Sequence, residues 1–364
     1  MRPEFPLTRV HAAAFQVPTD APEADGTLAW TSTVIVIAQA EAGGETGLGY
    51  TYSAGQAATL VNDKLAPLLH GVDACDIPTA QQSMQRQVRN IGASGIAATA
   101  ISAIDAALWD LKARLFGLPL ARLLGMLRPT VPVYGSGGFT SYDDGRLRDQ
   151  LGAWVERDGC RWVKMKIGSD PDRDPQRIAA ARAAIGGAGL FVDANGALSR
   201  KRALAMAELC AAHRVLWFEE PVSSDDLAGL RLLRDRMPAS IEVAAGEYAW
   251  NLDDIRRMLE AGAVDVQQAD ATRCGGITGF LAAAALCEAH HIDLSGHCAP
   301  SLHCHVACAV PRLRHLEYFH DHVRLEAMLF DGAARARDGA IAPDLTRPGL
   351  GLTLKAADAA RYAL

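Results

Sequence analysis

From about residue 131 onward, short apolar runs alternate with longer amphipathic stretches. The runs are Val131–Tyr134, Trp162–Ile167, Leu190–Val192, Val215–Phe218, Ile241–Ala244, Val264–Gln267, Ile292–Leu294 and His315–Phe319. Each has the length and composition of a buried strand. Pro175–Ile185, Arg200–His213, Asp225–Arg236, Asp253–Glu260 and Gly279–His290 lie between them and place apolar residues at three- and four-residue spacing, as helices do. Strand–helix alternation predicts parallel pairing, and eight such strands close a (β/α)₈ barrel.

The first third follows another pattern. Thr31–Gln39 is β-branched and reads as a strand, with Gly47–Tyr52 as its hairpin partner after the Gly43-Gly44 turn. Val17–Trp30 is polar and contains Pro, Asp and Gly, so it reads as a loop. Ile101, Ile104, Leu108, Leu111 and Leu115 mark a helix over Gly95–Phe116, stopped by Gly117 and Pro119. The expected architecture is therefore α/β. An N-terminal α+β domain over residues 1–125 precedes a barrel over 126–347, and a tail over 348–364 packs back on the first domain.

Composition narrows the setting. Net charge is −6, which disfavours a nucleic-acid partner. The longest apolar run, Phe280–Cys287, is too short to span a bilayer. Eight cysteines without a CxxC pair do not suggest a disulfide framework, so a reducing cytoplasm is expected. Most of the 36 basic residues are arginine, yet Lys164 and Lys166 sit two apart in one strand. Arginine cannot release its proton at workable pH, whereas lysine can.

The chemistry lies at the strand ends. Lys166, Asp193, Glu219, Glu247, Asp270, His297 and Glu317 each stand at or just past the end of an apolar run, at intervals near one βα repeat. In a barrel, successive strand ends converge on one mouth. Asp193, Glu219 and Glu247 then form an all-oxygen set suited to a hard cation such as Mg²⁺. Glu220 is expected to point away by strand alternation. Lys164 and Lys166 share one face of their strand, and mutual repulsion, to which a nearby divalent cation adds, is expected to depress a lysine pKa and leave a lysine able to act as a base. Asp270 can fix the tautomer of His297. His297, Cys298, His303, Cys304, His305 and Cys308 form a rival cluster, but they lack a standard zinc spacing.

Taken together, Lys164-Met165-Lys166, Val192-Asp193-Ala194-Asn195, Phe218-Glu219-Glu220-Pro221, Gly246-Glu247, Asp270 with Gly275-Gly276, and His297 resemble the enolase superfamily, mandelate racemase subgroup. The resemblance implies Mg²⁺ on Asp193, Glu219 and Glu247. It implies removal of the proton α to a carboxylate, giving an enediolate. Lys166 and the His297–Asp270 dyad would be the acid/base groups on opposite faces. Lys164 and a protonated Glu317 would contact the substrate carboxylate, and Asn195 would line the site. A lid over Pro18–Trp30, with Tyr50–Gly55 as a second segment, would cover the mouth, and Trp30 and Tyr52 are its candidate substrate contacts. The polar lid favours a sugar acid and hence dehydration. A racemase or epimerase of a 2-hydroxy acid is the alternative, and a metal-dependent barrel hydrolase is the alternative of another class. A small-molecule carboxylate is the expected partner, without nucleic acid or membrane, in a homo-oligomer.

Overall fold

The computed structural model describes residues 4–364. Three long antiparallel strands open the chain: β1 Arg9–Ala24, β2 Ala29–Ala42 and β3 Glu45–Tyr52. The helix Ile96–Leu115 lies across β3. Gly47 and Gly49 allow this close approach, because a β-carbon at either would collide with the carbonyls of Ala107 or Ala103. The alanine-rich face of that helix completes the contact.

The eight apolar runs all form strands: β4 Val131–Gly137, β5 Trp162–Lys166, β6 Gly189–Asp193, β7 Val215–Glu219, β8 Glu242–Ala245, β9 Val266–Ala269, β10 Asp293–Gly296 and β11 Leu313–Phe319. They pair in parallel in chain order, and β11 pairs with β4 to close the barrel. Outward residues such as Val163, Met165, Val192 and Phe218 pack under the surrounding helices. The interior is layered. Tyr134, Phe191, Trp217 and His315 fill the floor with rings at 4.8–6.3 Å between centroids. Two residues further along the same strands stand Ser136, Asp193, Glu219 and Glu317, so an aromatic plug supports a polar mouth.

One element departs from the sequence reading. Val17–Ala24 is not a loop but the outer half of β1, paired with β2 across an irregularity between Pro18 and Glu23. The turn proper is only Asp25–Leu28, closed by the Asp25 N–H to Leu28 carbonyl bond. The tail returns to the first domain: Leu364 N–H donates to the Ala14 carbonyl, and Leu350 N–H donates to Asp110. No helix among the described residues is long and apolar enough to cross a membrane.

Candidate active site

Strand register builds the site. Lys166, Asp193 and Glu219 stand directly beside one another on β5, β6 and β7. Glu247 joins them after Gly246, whose φ of 135° and contact with the Gln268 carbonyl leave no room for a β-carbon. Asp193, Glu219 and Glu247 are buried, and one oxygen from each lies within 4.8 Å of the others. Burial and the Asp193 charge push Glu219 up to about 8. Glu247 Oε2 has no hydrogen-bond partner. Around this trio stand three further buried carboxyls, Glu220, Asp270 and Glu317, against Lys164, Lys166, Arg273 and His297. A crowded, all-oxygen, acid-rich set of this kind fits a hard divalent cation.

The two lysines correct one expectation. Burial lowers the Lys166 ammonium, but Asp193 at 2.5 Å more than offsets both this and the Lys164 charge, so Lys166 is held above the usual lysine range. Lys164 is raised too: burial opposes its charge, but Glu219 at 2.5 Å and Glu317 at 2.8 Å prevail. Mutual repulsion is the weaker force here. Glu317 is likewise not protonated. Burial raises it, but Lys164 and His297 draw it well below the usual carboxylate range, and Ser136 Oγ and Cys298 N–H donate to it.

On the far wall, His297 Nδ1 lies 2.8 Å from Asp270 Oδ2. Burial raises Asp270, but this bond and the His297 charge bring it below the carboxylate range. Burial lowers His297, yet Glu247, Glu317 and Asp270 raise it on balance. Thr272 N–H donates to the other Asp270 oxygen at 2.7 Å. The pair is thus oriented with His297 Nε2 facing the mouth, where it lies 3.5 Å from Glu247 and 3.6 Å from Glu317.

Three neighbours were not legible beforehand. Arg273 donates to the Glu247 carbonyl at 3.0 Å and lies 3.7 Å from Asp270, under the rings of Tyr248 and Trp250. The Cys298 thiol sits 3.2 Å from His297 Nε2 and 3.3 Å from Glu317. Glu220, expected to face away, is buried with the carboxyls, and burial and Glu247 raise it well above the usual range. Its φ of 37° breaks the strand alternation on which that expectation rested. The zinc cluster does not assemble. His303 Nε2 accepts from Ala271 N–H and its Nδ1 meets the Cys298 carbonyl, while His305 accepts from Ala121 N–H. Burial lowers both histidines, His305 to about 4, which suits neutral backbone caps.

The β1–β2 hairpin crosses the mouth. Ala21 and Trp30 rest on Phe139, Tyr142, Cys298 and Phe319, beside His297. Gly26 abuts the carbonyls of Ala194 and Ile167, beside Lys166 and Asp193. Trp30 donates to Glu23 at 2.9 Å, so its indole N–H is already committed within the lid. Tyr52 is a joint rather than a free substrate contact: its ring stacks on His322 at 3.4 Å and its hydroxyl faces Glu326. Asn195 stands at φ 44° with its N–H on Asp193 at 2.8 Å and its Oδ1 buried without a partner.

Residues 10–125 match the mandelate racemase/muconate lactonizing enzyme N-terminal domain, and residues 146–359 match the enolase C-terminal domain-like family. The chain belongs to the mandelate racemase/muconate lactonizing enzyme family. Within that family it is 35% identical over 330 residues to the 3,6-anhydro-alpha-L-galactonate cycloisomerase of Streptomyces coelicolor, covering 88% of this chain and 89% of the relative. A mandelate racemase/muconate lactonizing enzyme-like protein from Rubrobacter xylanophilus superposes with a TM-score of 0.96 at 51% identity, over 99% of this chain and all of that one. The L-talarate/galactarate dehydratase of Salmonella typhimurium, liganded with Mg and L-lyxarohydroxamate, superposes with a TM-score of 0.91 at 30% identity, over 99% and 93% of the two chains.

Proposed function

We propose that this chain removes the proton α to the carboxylate of a sugar acid and then expels the β-hydroxyl as water, giving a 2-keto-3-deoxy acid. The observation that carries this reading is the placement of Lys166 and the Asp270–His297 dyad on different walls around one carboxylate trio. Support comes from relatives named as sugar-acid dehydratases and from a magnesium-liganded neighbour.

Asp193, Glu219 and Glu247 would hold Mg²⁺. Bound there, the ion would supply positive charge to carboxylate oxygens that turn negative as the α-proton leaves. Lys164, fixed by Glu219 and Glu317, adds a permanent ammonium charge at the same spot. Lys166 Nζ and His297 Nε2 are the two groups able to move protons on either side of the substrate. A hydroxyl leaves poorly unless it is protonated, and His297, oriented by Asp270, is placed to donate that proton. The hairpin lid excludes water from the developing charge.

A library of sugar acids incubated with enzyme and Mg²⁺ in D₂O tests the reading. The expected result is 2-keto acid with loss of the α-proton. Lys166→Ala and His297→Asn should each abolish turnover, and Glu219→Gln should weaken metal binding severely. Chelation should stop the reaction, and added Mg²⁺ should restore it. α-Deuteration with inversion and no keto acid would make the enzyme a racemase. No deuteration with any acid, alongside hydrolysis of an ester or amide, would sink the enolisation chemistry altogether.

A further inference from the structure

Two members of the grouping that did not close as a zinc cluster still meet, and a third donor joins them. His297 Nε2, Cys298 Sγ and Glu317 Oε2 converge at the mouth, and all three residues are buried. The separations are 3.2 Å from imidazole to thiol, 3.3 Å from thiol to carboxylate and 3.6 Å from imidazole to carboxylate. Tetrahedral zinc, with bonds of about 2.0–2.3 Å, sets its ligand atoms roughly 3.3–3.7 Å apart. The three atoms therefore stand close to the corners of one tetrahedral face.

Each donor is presented by its other contacts. Asp270 Oδ2 holds His297 Nδ1 at 2.8 Å and leaves Nε2 for a cation, the arrangement that orients histidine ligands of zinc. Ser136 Oγ and Lys164 Nζ occupy Glu317 Oε1, so Oε2 is the oxygen turned to the thiol and the imidazole. Cys298 at φ 54° and Ala299 at φ 41° fold the chain back after His297, and His303 Nδ1 meets the carbonyls of both. An extended strand would send neighbouring side chains to opposite faces, whereas this turn brings the thiol against the ring of the preceding residue.

A further group points into the triad. Glu247 is 4% exposed, and its Oε1 faces Arg273. Its Oε2 lies 3.5 Å from His297 Nε2 and has no hydrogen-bond partner. Buried polar atoms are almost always paired, and this one is a fourth oxygen donor aimed at the same point. The chemistry of the donors selects the ion. The all-oxygen trio suits a hard cation, whereas a set of one nitrogen, one sulfur and one oxygen suits a thiophilic one and does not attract Mg²⁺.

We propose that His297, Cys298 and Glu317 form a second cation site, selective for thiophilic divalent ions such as Zn²⁺, and that its occupation switches the enzyme off by withdrawing His297 from proton transfer. On binding, the thiol proton, and the Nε2 proton where the ring is charged, pass to solvent, and Sγ, Nε2 and Oε2 each give a lone pair to the ion. The site stands on its geometry; the switch rests on the role for His297 proposed above.

Co²⁺ is the spectroscopic probe. Added to the Mg²⁺-saturated protein, it should produce a thiolate-to-cobalt charge-transfer band, which Zn²⁺ bleaches by displacement and Cys298→Ser abolishes. The carboxylate trio cannot give this band, because it contains no sulfur. His297→Asn should weaken Co²⁺ binding by about tenfold or more, and it decides the matter should the serine variant not fold. With a sugar acid that is turned over, Zn²⁺ should inhibit in the presence of excess Mg²⁺. The half-inhibiting concentration should rise by about tenfold or more in Cys298→Ser, each protein measured against its own uninhibited rate. No band in the wild type, or an equal band in Cys298→Ser, overturns the site. Inhibition equally strong in both proteins assigns the inhibitory ion to the trio and overturns the switch, as does a full band without inhibition. If no sugar acid is turned over, the switch falls with that reading, while the band still decides the site.

Discussion

Arg273 ties together two loops that carry different tasks. Its guanidinium reaches Glu247 of the carboxylate trio and Asp270 of the dyad, so one cation touches both the groups proposed to hold the metal and those proposed to move protons. Partners that orient ligands commonly matter 10- to 100-fold when removed. Arg273→Met should therefore lower Mg²⁺ affinity by about tenfold and kcat/KM by about 100-fold, and Arg273→Lys should restore part of both. Calorimetric Mg²⁺ titration beside steady-state kinetics is the measurement, and unchanged metal affinity in the methionine variant would refute the shared role. The residues legible in the sequence were those that follow an apolar run in register, such as Lys166, Asp193 and Glu219. Arg273, Cys298 and Glu220 were not, for a physical reason. Their placement depends on backbone turns, with φ of 54° at Cys298 and 37° at Glu220, that no periodicity announces. The lysine expectation weighed the repulsion between Lys164 and Lys166 and a nearby cation, but not the pull of Asp193, Glu219 and Glu317 on the two ammonium groups.

At the scale of elements, the barrel strands were readable because parallel strands are buried on both faces and so appear as unbroken apolar runs. The outer half of β1 was not. Pro18, Asp20 and Pro22 are turn-like residues, and only pairing with β2 makes them extended. That pairing matters, because it sets Gly26 on the strand ends of β5 and β6. Thr140 N–H bonds the Ala24 carbonyl and Ser141 Oγ bonds the Pro22 carbonyl, fixing the hairpin on the rim. A β-carbon at Gly26 would collide with the Ala194 carbonyl and come within 2.8 Å of the Ile167 carbonyl. Backbone cannot yield as a side chain does, so Gly26→Ala should lift the tip. A misplacement of about 1 Å at a site can cost about 100-fold, and kcat/KM should fall on that order while the barrel stays folded. Faster proteolysis within residues 18–30 with an unchanged barrel melting temperature would accompany it. Wild-type kinetics in this variant would show that the hairpin does not act as the lid.

Across the whole molecule, cap and barrel meet through buried polar bonds rather than a loose linker. Ser102 Oγ accepts from Gly275 and Gly276 N–H, Asp105 takes Thr278, and Thr51 donates to the Thr272 carbonyl. Glu326 is the hub at the other end of the seam. It accepts from Tyr50 Oη at 2.7 Å and from Ser301 N–H at 3.0 Å. Burial pushes it up to about 7, although these donors favour its charged form. An acid raised in this way stabilises the fold below its unfolded pKa of 4.5 and loses that contribution as pH rises toward 7. Over that window the unfolded chain has released the proton and the folded chain still holds it. The slope approaches 1.4 kcal/mol per pH unit for a single fully buried group, as an order of magnitude. Glu326→Gln keeps the acceptor for Tyr50 but cannot titrate. The stability of this variant relative to wild type should therefore improve by about 1 kcal/mol per unit between pH 5 and pH 7, and level off above. Urea unfolding of both proteins at pH 5, 6, 7 and 8 measures it. A difference that does not change with pH would mean that Glu326 is already ionised in the folded seam, with its tyrosine and backbone donors outweighing its burial.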